Sequence, residues 1–351
     1  MKLVEILALA VQKKASDAHI TPNMRLSCKI NGAITPVSEL ILSPADTLEL
    51  IKEAYAINGA RDFSRAETEG DDDFAITVAG TGRFRCNVMR QMNGYAMVIR
   101  VLPLKIPAPE DFSIPDIIIE LARLRRGMVL ITGAVGSGKS TTLACMIDRI
   151  NSDQPGHIIT IEDPVEYVHT PKLGMVTQRE VERDTLSYAS ALRAALRQAP
   201  DVILVGEMRD VETIQTALTA AETGQLLLST LHTVGAVNTV DRIIDVFPPN
   251  QQAQVRVQLS MVLKAVISQQ LIPSTDGGRV AAFEIMIANS AVQNLIREGK
   301  THQLDSIIFS NSASGMRTMD GDIERLYREG RITKGAALTY AADPDQLRRK
   351  I

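Results

Sequence analysis

One nine-residue stretch limits the architecture more than any other feature of the chain. Gly133-Ala-Val-Gly136-Ser137-Gly138-Lys139-Ser140-Thr141 follows the apolar run Met128–Thr132 and precedes a helical segment over Thr142–Ile150. Glycines let successive backbone N–H groups wrap an anion, an opening helix adds partial positive charge, and lysine adds a full one. Gly133, Gly138, Lys139 and Ser140 occupy the fixed positions of the phosphate-binding loop, in the strand–loop–helix context that loop requires. Residues Gly133, Gly136, Ser137, Gly138, Lys139, Ser140 and Thr141 are therefore the expected nucleotide-binding set. The Ser140 hydroxyl is placed to meet magnesium.

A phosphate loop alone leaves kinase, GTPase, helicase and motor open. No Asn-Lys-x-Asp-like base-reading segment follows a later strand, which argues against a GTPase. Short apolar runs at Met128–Thr132, Ile158–Ile161, Val202–Val205 and Leu226–Ser229 alternate with helical stretches. Strands apolar on both faces need helices on both sides, so the sheet is expected to be mainly parallel. Two of these runs end in carboxylates, Ile161-Glu162-Asp163-Pro164 and Val205-Gly206-Glu207. Ligands of an open parallel sheet lie beyond its C-terminal strand edge, where those acids arrive. ATP hydrolysis needs magnesium beside the terminal phosphates and a water positioned for in-line attack. Glu207 is assigned the magnesium side and Glu162 the water-activating base; sequence alone leaves the two roles exchangeable. His232, at the end of the Leu226 run, is placed to sense the terminal phosphate.

Before this core the rhythm differs. Leu3, Ile6, Leu7, Ala10 and Val11 recur at helical spacing. Met24–Ile30, Phe74–Val78, Phe84–Val88 and Tyr95–Val101 alternate as strands, with turns expected at Asn31-Gly32 and Asn93-Gly94. The acidic run Glu67–Asp73 reads as solvated surface before a strand, and Asp17 with His19 as a hydrogen-bonded pair. These elements make an antiparallel α+β module over 1–102, then a Pro-rich linker over 103–112, then the ATPase domain over 113–351. Ser113 with Asp116 is expected to cap a helix through about Arg123. From about Gln251 the chain reads as mostly helical, with Leu259, Val262, Leu263, Val266 and Ile267 forming a helical stripe.

Composition narrows the partners. With 38 basic and 41 acidic residues the formal charge is -3, which argues against a basic coat for nucleic acid. Cys28, Cys86 and Cys145 are too sparse for a disulfide framework or a paired metal site and suggest a reducing compartment. The start of the chain does not read as a signal peptide, and no uninterrupted apolar stretch is long enough for a membrane span.

With Ile161-Glu-Asp-Pro-Val-Glu-Tyr-Val-His169, Gly206-Glu-Met-Arg-Asp210 and Ser229-Thr-Leu-His-Thr233 in view, the chain resembles the secretion and pilus motor ATPases. Within them it resembles the type IV pilus retraction, or twitching-motility, ATPases, from Ser16 to about Leu326. The resemblance implies an α/β, RecA-like P-loop core with a helical C-terminal part, preceded by a smaller α+β PAS-like domain. It also implies a homohexamer that uses ATP and Mg2+. Glu162 then matches the general base, Glu207 the Walker B glutamate and His232 the histidine-box residue. Arg83, Arg85 and Arg100 fall in N-terminal segments whose arginines approach the phosphates.

Implied partners are an inner-membrane pilus platform protein and the pilus machinery, with the protein cytoplasmic and peripheral at the inner membrane's cytoplasmic face. No stable nucleic-acid partner is expected. Assembly and secretion relatives carry a four-cysteine zinc insertion, and this chain has no cysteine after Cys145. Ala291–Glu298 resembles the retraction family's C-terminal signature, with Val292 and Gln293 as departures; Gln225 replaces a frequent histidine. These departures keep an accessory retraction paralogue in view. A RecA-like nucleic-acid translocase and a non-hydrolysing scaffold are further alternatives, the scaffold opposed by intact Lys139, Glu162 and Glu207.

Overall fold

The computed structural model describes residues 1–30, 32–59, 61–92, 94–103 and 105–351. The turns expected at Asn31-Gly32 and Asn93-Gly94 include positions 31 and 93, which lie outside the described residues. The chain divides into two compact units, Met1–Lys105 with Pro164–Val168, and Ile106–Asp163 with His169–Ile351.

The first unit runs α1 (Leu3–Gln12), β1 (Asp17–Ile20), β2 (Arg25–Ile30), β3 (Ala33–Ile41), α2 (Pro44–Asn58), α3 (Ser64–Glu69), β4 (Asp71–Val78), β5 (Gly82–Gln91) and β6 (Gly94–Leu102). Its six strands form one antiparallel sheet in the order β3-β2-β1-β6-β5-β4. Alternation decides the faces. Phe84, Cys86, Val88, Met97 and Ile99 pack under Leu3, Ile6 and Leu7 of α1 and Leu50, Ile51 and Ala54 of α2. Helix α2 starts where Ser43 accepts from the Asp46 N–H and Pro44 fills the first turn, a combination of start signals.

The acidic run departs from expectation. Asp71–Asp73 lie inside β4, and Asp72 is 3% exposed. Tyr55 donates to it at 2.9 Å and the Arg61 guanidinium pairs with it. A buried carboxylate persists because two donors replace its water.

In the second unit α4 (Asp116–Glu120), β7 (Gly127–Thr132), α5 (Lys139–Asp153), β8 (His157–Glu162), β9 (Met175–Glu180), α6 (Tyr188–Ala195), β10 (Val202–Val205), α7 (Val211–Glu222), β11 (Leu226–Leu231), α8 (Ala236–Asp245) and α9 (Pro249–Val262) follow in order. Then come β12 (Leu263–Pro273), β13 (Arg279–Ile287), α10 (Ser290–Glu298), α11 (Leu304–Ser310), α12 (Met319–Arg328), α13 (Lys334–Tyr340) and α14 (Pro344–Arg348). The sheet order is β13-β12-β7-β11-β10-β8-β9, parallel throughout except the β12–β13 pair. Successive residues feed opposite cores. Met128, Leu130, Ile203 and Val205 enter one hydrophobic cluster, while Val129, Ile131, Val202 and Leu204 enter the other. That is the α/β architecture expected from the apolar strands.

Two local expectations fail. The supposed helical stripe is divided, with Leu259 and Val262 closing α9 but Leu263, Val266 and Ile267 lying in β12 beside β7. A short apolar run fits either period, and an open strand edge at β7 selects extension. Ser113 does not cap the following helix. It sits at φ 53° closing the turn Pro109–Phe112, and α4 begins after Pro115 and tightens into a 3-10 turn over Leu121–Arg123. Among the described residues no helix is long and apolar enough to cross a membrane.

Candidate nucleotide site

The sheet order places the ends of β7, β11, β10 and β8 side by side, so residues remote in sequence share one rim. At the end of β7, Gly133, Gly136 and Gly138 all have positive φ, 139°, 77° and 91°. The loop is packed from beneath by Gln269 on β12. A Cβ on Gly133 would stand 2.3 Å from the Gln269 carbonyl oxygen, and one on Gly138 2.7 Å from its Nε2. Thr142 Oγ1 donates to Gln269 Oε1 at 2.8 Å. Positive φ favours glycine at both positions; the β12 main chain itself excludes a Cβ at Gly133, whereas at Gly138 the obstacle is the Gln269 side-chain amide.

Lys139 opens α5 with its side chain folded back on the loop. Its Nζ donates to the carbonyls of Gly133 at 2.8 Å and Ala134 at 2.9 Å, and meets His232 Nδ1 at 3.5 Å. His232 Nε2 lies 3.3 Å from Glu207 Oε2, whose Oε1 takes Arg209 Nε at 2.8 Å. An ammonium only donates, so Nδ1 is the accepting nitrogen and Nε2–H points at Glu207. Lysine, imidazole and carboxylate thus form one line across three strand ends. Beside it, a cavity of about 310 Å3 is lined by Glu207, Met208, Arg209, Leu231, His232, Thr233 and Arg242.

Glu162 closes β8. Its Oε1 accepts from Thr160 Oγ1 at 2.6 Å and Gln178 Nε2 at 3.2 Å. Gln178 also accepts the His169 N–H through Oε1 at 2.8 Å, so one amide joins β9 to both ends of the acidic segment. Tyr188, leading α6, sets its hydroxyl against Gly206. Burial, then Asp163, Glu207 and Glu162, push that phenol well above the tyrosine range, so it stays protonated.

A phosphate chain fits this rim. Ser137 has a buried hydroxyl without a partner among the described residues, and the three glycines leave backbone beside it. For magnesium, no group of three or more His, Cys, Asp or Glu forms a ready cage among the described residues. Magnesium usually takes one or two protein ligands plus phosphate and water. The exposed Ser140 hydroxyl and the Glu207 carboxylate match that smaller demand.

Comparison with known proteins places this chain in a family. The profile of the family described as "Type II/IV secretion system protein" matches residues 2–282. This chain belongs to that type II/IV secretion system protein family. It is similar to the type IV pilus retractation ATPase PilT of Pseudomonas aeruginosa, 43% identical over 99% of this chain and 100% of that one. It is also similar to the type IV pilus ATPase PilU of the same organism, 42% identical over 100% of this chain and 91% of that one. Among solved structures, the pilus retraction motor PilT with bound ADP aligns with TM-score 0.91 at 46% identity, covering 99% of both chains.

In this secretion-family chain the three expected arginines lie on the first unit, each already engaged there. Arg83 on β5 is buried, its Nε donating to the Val165 carbonyl at 2.9 Å. Arg85 Nε bonds Asp73 at 3.0 Å, and Arg100 Nε on β6 bonds Asp17 Oδ1 at 3.0 Å. The last bond corrects the expected His19–Asp17 pair. Asp17 takes Arg100 and Ser16 instead, while His19 Nε2 is buried without a partner among the described residues. Both sit on one face of β1, but Arg100 is the register partner of Asp17 on β6, and a guanidinium reaches a carboxylate better than an imidazole two residues along the strand. Cys28, Cys86 and Cys145 are all buried and unpaired.

Sequence reading missed Gln269, Gln178 and Tyr188. Only Gln269 carried a signal, as the centre of the polar triplet Ser268-Gln269-Gln270 between the apolar pairs Val266-Ile267 and Leu271-Ile272.

Proposed function

We propose that this chain is an ATP-hydrolysing motor that powers type IV pilus retraction, and with it twitching motility. The observation that carries the reading is the line from Lys139 through His232 to Glu207 beside a complete phosphate loop. It stands in a chain that resembles a pilus retraction motor along nearly its whole length.

In this reading the loop N–H groups, Lys139 and Thr141 hold the nucleotide phosphates. Ser140 and Glu207 hold magnesium, which neutralises phosphate charge when bound. Glu162 takes the proton of the attacking water, with Thr160 and Gln178 fixing its orientation. His232 registers the terminal phosphate through Lys139 and passes its loss to Glu207. Arg83, Arg85 or Arg100, on an N-terminal domain over 1–102 joined through 103–112 to the ATPase domain over 113–351, supplies the closing cation. The subunits form a homohexamer that docks on an inner-membrane platform protein at the cytoplasmic face.

Imaging of the purified full chain, with and without a non-hydrolysable ATP analogue, tests this. Six-fold rings whose symmetry changes with nucleotide support the motor; a nucleotide-insensitive monomer rejects it. An accessory retraction ATPase is the second reading, motivated by nearly equal identity to PilT and PilU, 43% and 42%. Complementation separates the two. The principal motor restores retraction in cells lacking every retraction ATPase, whereas an accessory one restores it only beside a partner.

A further inference from the structure

Strand β13 is buried from Val280 through Met286, yet one residue within that run is charged, Glu284 at 9% exposure. Helix α8, which follows the His232 segment, has Gly235 as N-cap and no side-chain cap of its own. The acceptors come from across the sheet. Glu284 Oε1 accepts the Ala236 N–H at 2.7 Å, and Ser268, its register partner on β12, accepts the Gly235 N–H at 2.9 Å. The residues on either side of Glu284 tie the same strand to α12 and its approach: the Phe283 N–H donates to Asp322 Oδ2 at 2.9 Å, and Ile285 exchanges backbone bonds with Arg317 at 2.8 and 3.0 Å. Burial holds the Glu284 carboxyl above the usual range, against the pull of the Ala236 N–H. Three successive residues of β13 therefore meet two helices: Glu284 the positive end of α8 at the nucleotide rim, and Phe283 and Ile285 the α12 segment among the C-terminal helices.

Resting on the function proposed above, we infer that Glu284 is a positioning residue that fixes the 232–235 segment and couples its movement to α12. The coupling has a physical carrier. A shift of His232 on phosphate loss drags Gly235 and Ala236, and the stretch of β13 that holds Ala236 through Glu284 cannot follow without disturbing the bonds of Phe283 to Asp322 and of Ile285 to Arg317.

The test uses the full chain and Glu284→Gln, which keeps the volume but replaces the charged acceptor of the Ala236 N–H by a neutral, weaker one. Its steady-state kcat should fall at least fivefold while ADP affinity stays within twofold. In wild type, a non-hydrolysable ATP analogue should alter hydrogen exchange at both 232–240 and 317–323; in Glu284→Gln the response at 317–323 should vanish. Wild-type kcat, or a retained response at 317–323, overturns the inference. Should Glu284→Gln fail to fold, Ser268→Ala decides. It removes the Gly235 acceptor alone, so kcat should fall with the α12 response retained, and an unchanged kcat overturns the inference. A wild-type protein that binds nucleotide but never hydrolyses ATP refutes the proposed function instead, while the exchange data still judge Glu284.

Discussion

Two glycines of the same loop provide a controlled perturbation. Gly136 has φ 77°, and a Cβ added there would meet no atom of the described residues within 4 Å, so alanine costs only left-handed strain, about 1–2 kcal/mol. Gly133 has φ 139°, and its Cβ would sit 2.3 Å from the Gln269 carbonyl oxygen and 2.8 Å from Ser137 Oγ. Its backbone strain is about 1–3 kcal/mol, and overlap with a main-chain atom adds about 1–3 kcal/mol. Taking midpoints, Gly133→Ala costs about 2.5 kcal/mol more than Gly136→Ala. At about 2–4 °C per kcal/mol for a domain of this size, its melting temperature falls a further 5–10 °C, roughly. Thermal melts and titration with a fluorescent ADP measure both terms. Gly138→Ala supplies an internal check, because the obstructing atom there is the side-chain Nε2 of Gln269 at 2.7 Å. Adding Gln269→Ala should relieve Gly138→Ala but leave Gly133→Ala unrelieved. Equal melting temperatures for the Gly133 and Gly136 variants, or relief of both by Gln269→Ala, would refute the claim that β12 sets the loop.

Lys139→Ala should abolish most ATP hydrolysis. Glu162→Gln should still bind ATP while single-turnover hydrolysis drops by about two decades or more, and Glu207→Gln should be partly rescued by added magnesium. Burial depresses the His169 imidazole to about 4, so between pH 6.5 and 4 the unfolded chain binds the extra proton. That residue's contribution, about 3 kcal/mol, is present above pH 6.5 and lost as pH falls toward 4. Denaturant titrations across that window should flatten in His169→Phe, and an unchanged slope assigns the acid sensitivity elsewhere. Replacing Arg83, Arg85 and Arg100 singly by alanine should show one variant losing far more turnover than nucleotide affinity and poisoning mixed rings. Three variants with wild-type turnover would remove the closing arginine.

How far the sequence could be read depended on whether the constraint was local. The phosphate loop was legible because glycine, lysine and serine must occur at fixed spacing. The four parallel strands were legible because runs such as Val202–Val205 are buried on both faces. Pairing across sequence was not legible. Nothing near Asp17 announces Arg100, 83 residues away, and nothing near Asp72 announces that Tyr55 and Arg61 will bury it. The β12–β13 hairpin was hidden for another reason. Val266 and Ile267 satisfy a helical stripe and a buried strand equally, and only the open edge of β7 decides between them. Gln269 combines both difficulties, since its purpose depends on Gly133 and Thr142, more than a hundred positions earlier in the chain.

The resting place of Lys139 bears on how such a rim works. Its ammonium is bonded to two carbonyls of its own loop, each a charge-assisted bond of about 1.5–3 kcal/mol. Phosphate oxygens carry full charge and bind an ammonium more strongly than carbonyls do, so on the function proposed here an arriving nucleotide would draw the lysine outward. Departure of Nζ also removes the donor at His232 Nδ1. The imidazole then keeps its bond to Glu207 alone and is free to turn about it, toward the phosphate or away. On the function proposed here, one lysine movement changes the surroundings of an imidazole on β11 and, through it, of a carboxylate beyond β10. The adjacency of those strand ends therefore lets phosphate occupancy at the loop reach His232 directly, and from there the Gly235–Ala236 backbone held by Ser268 and Glu284.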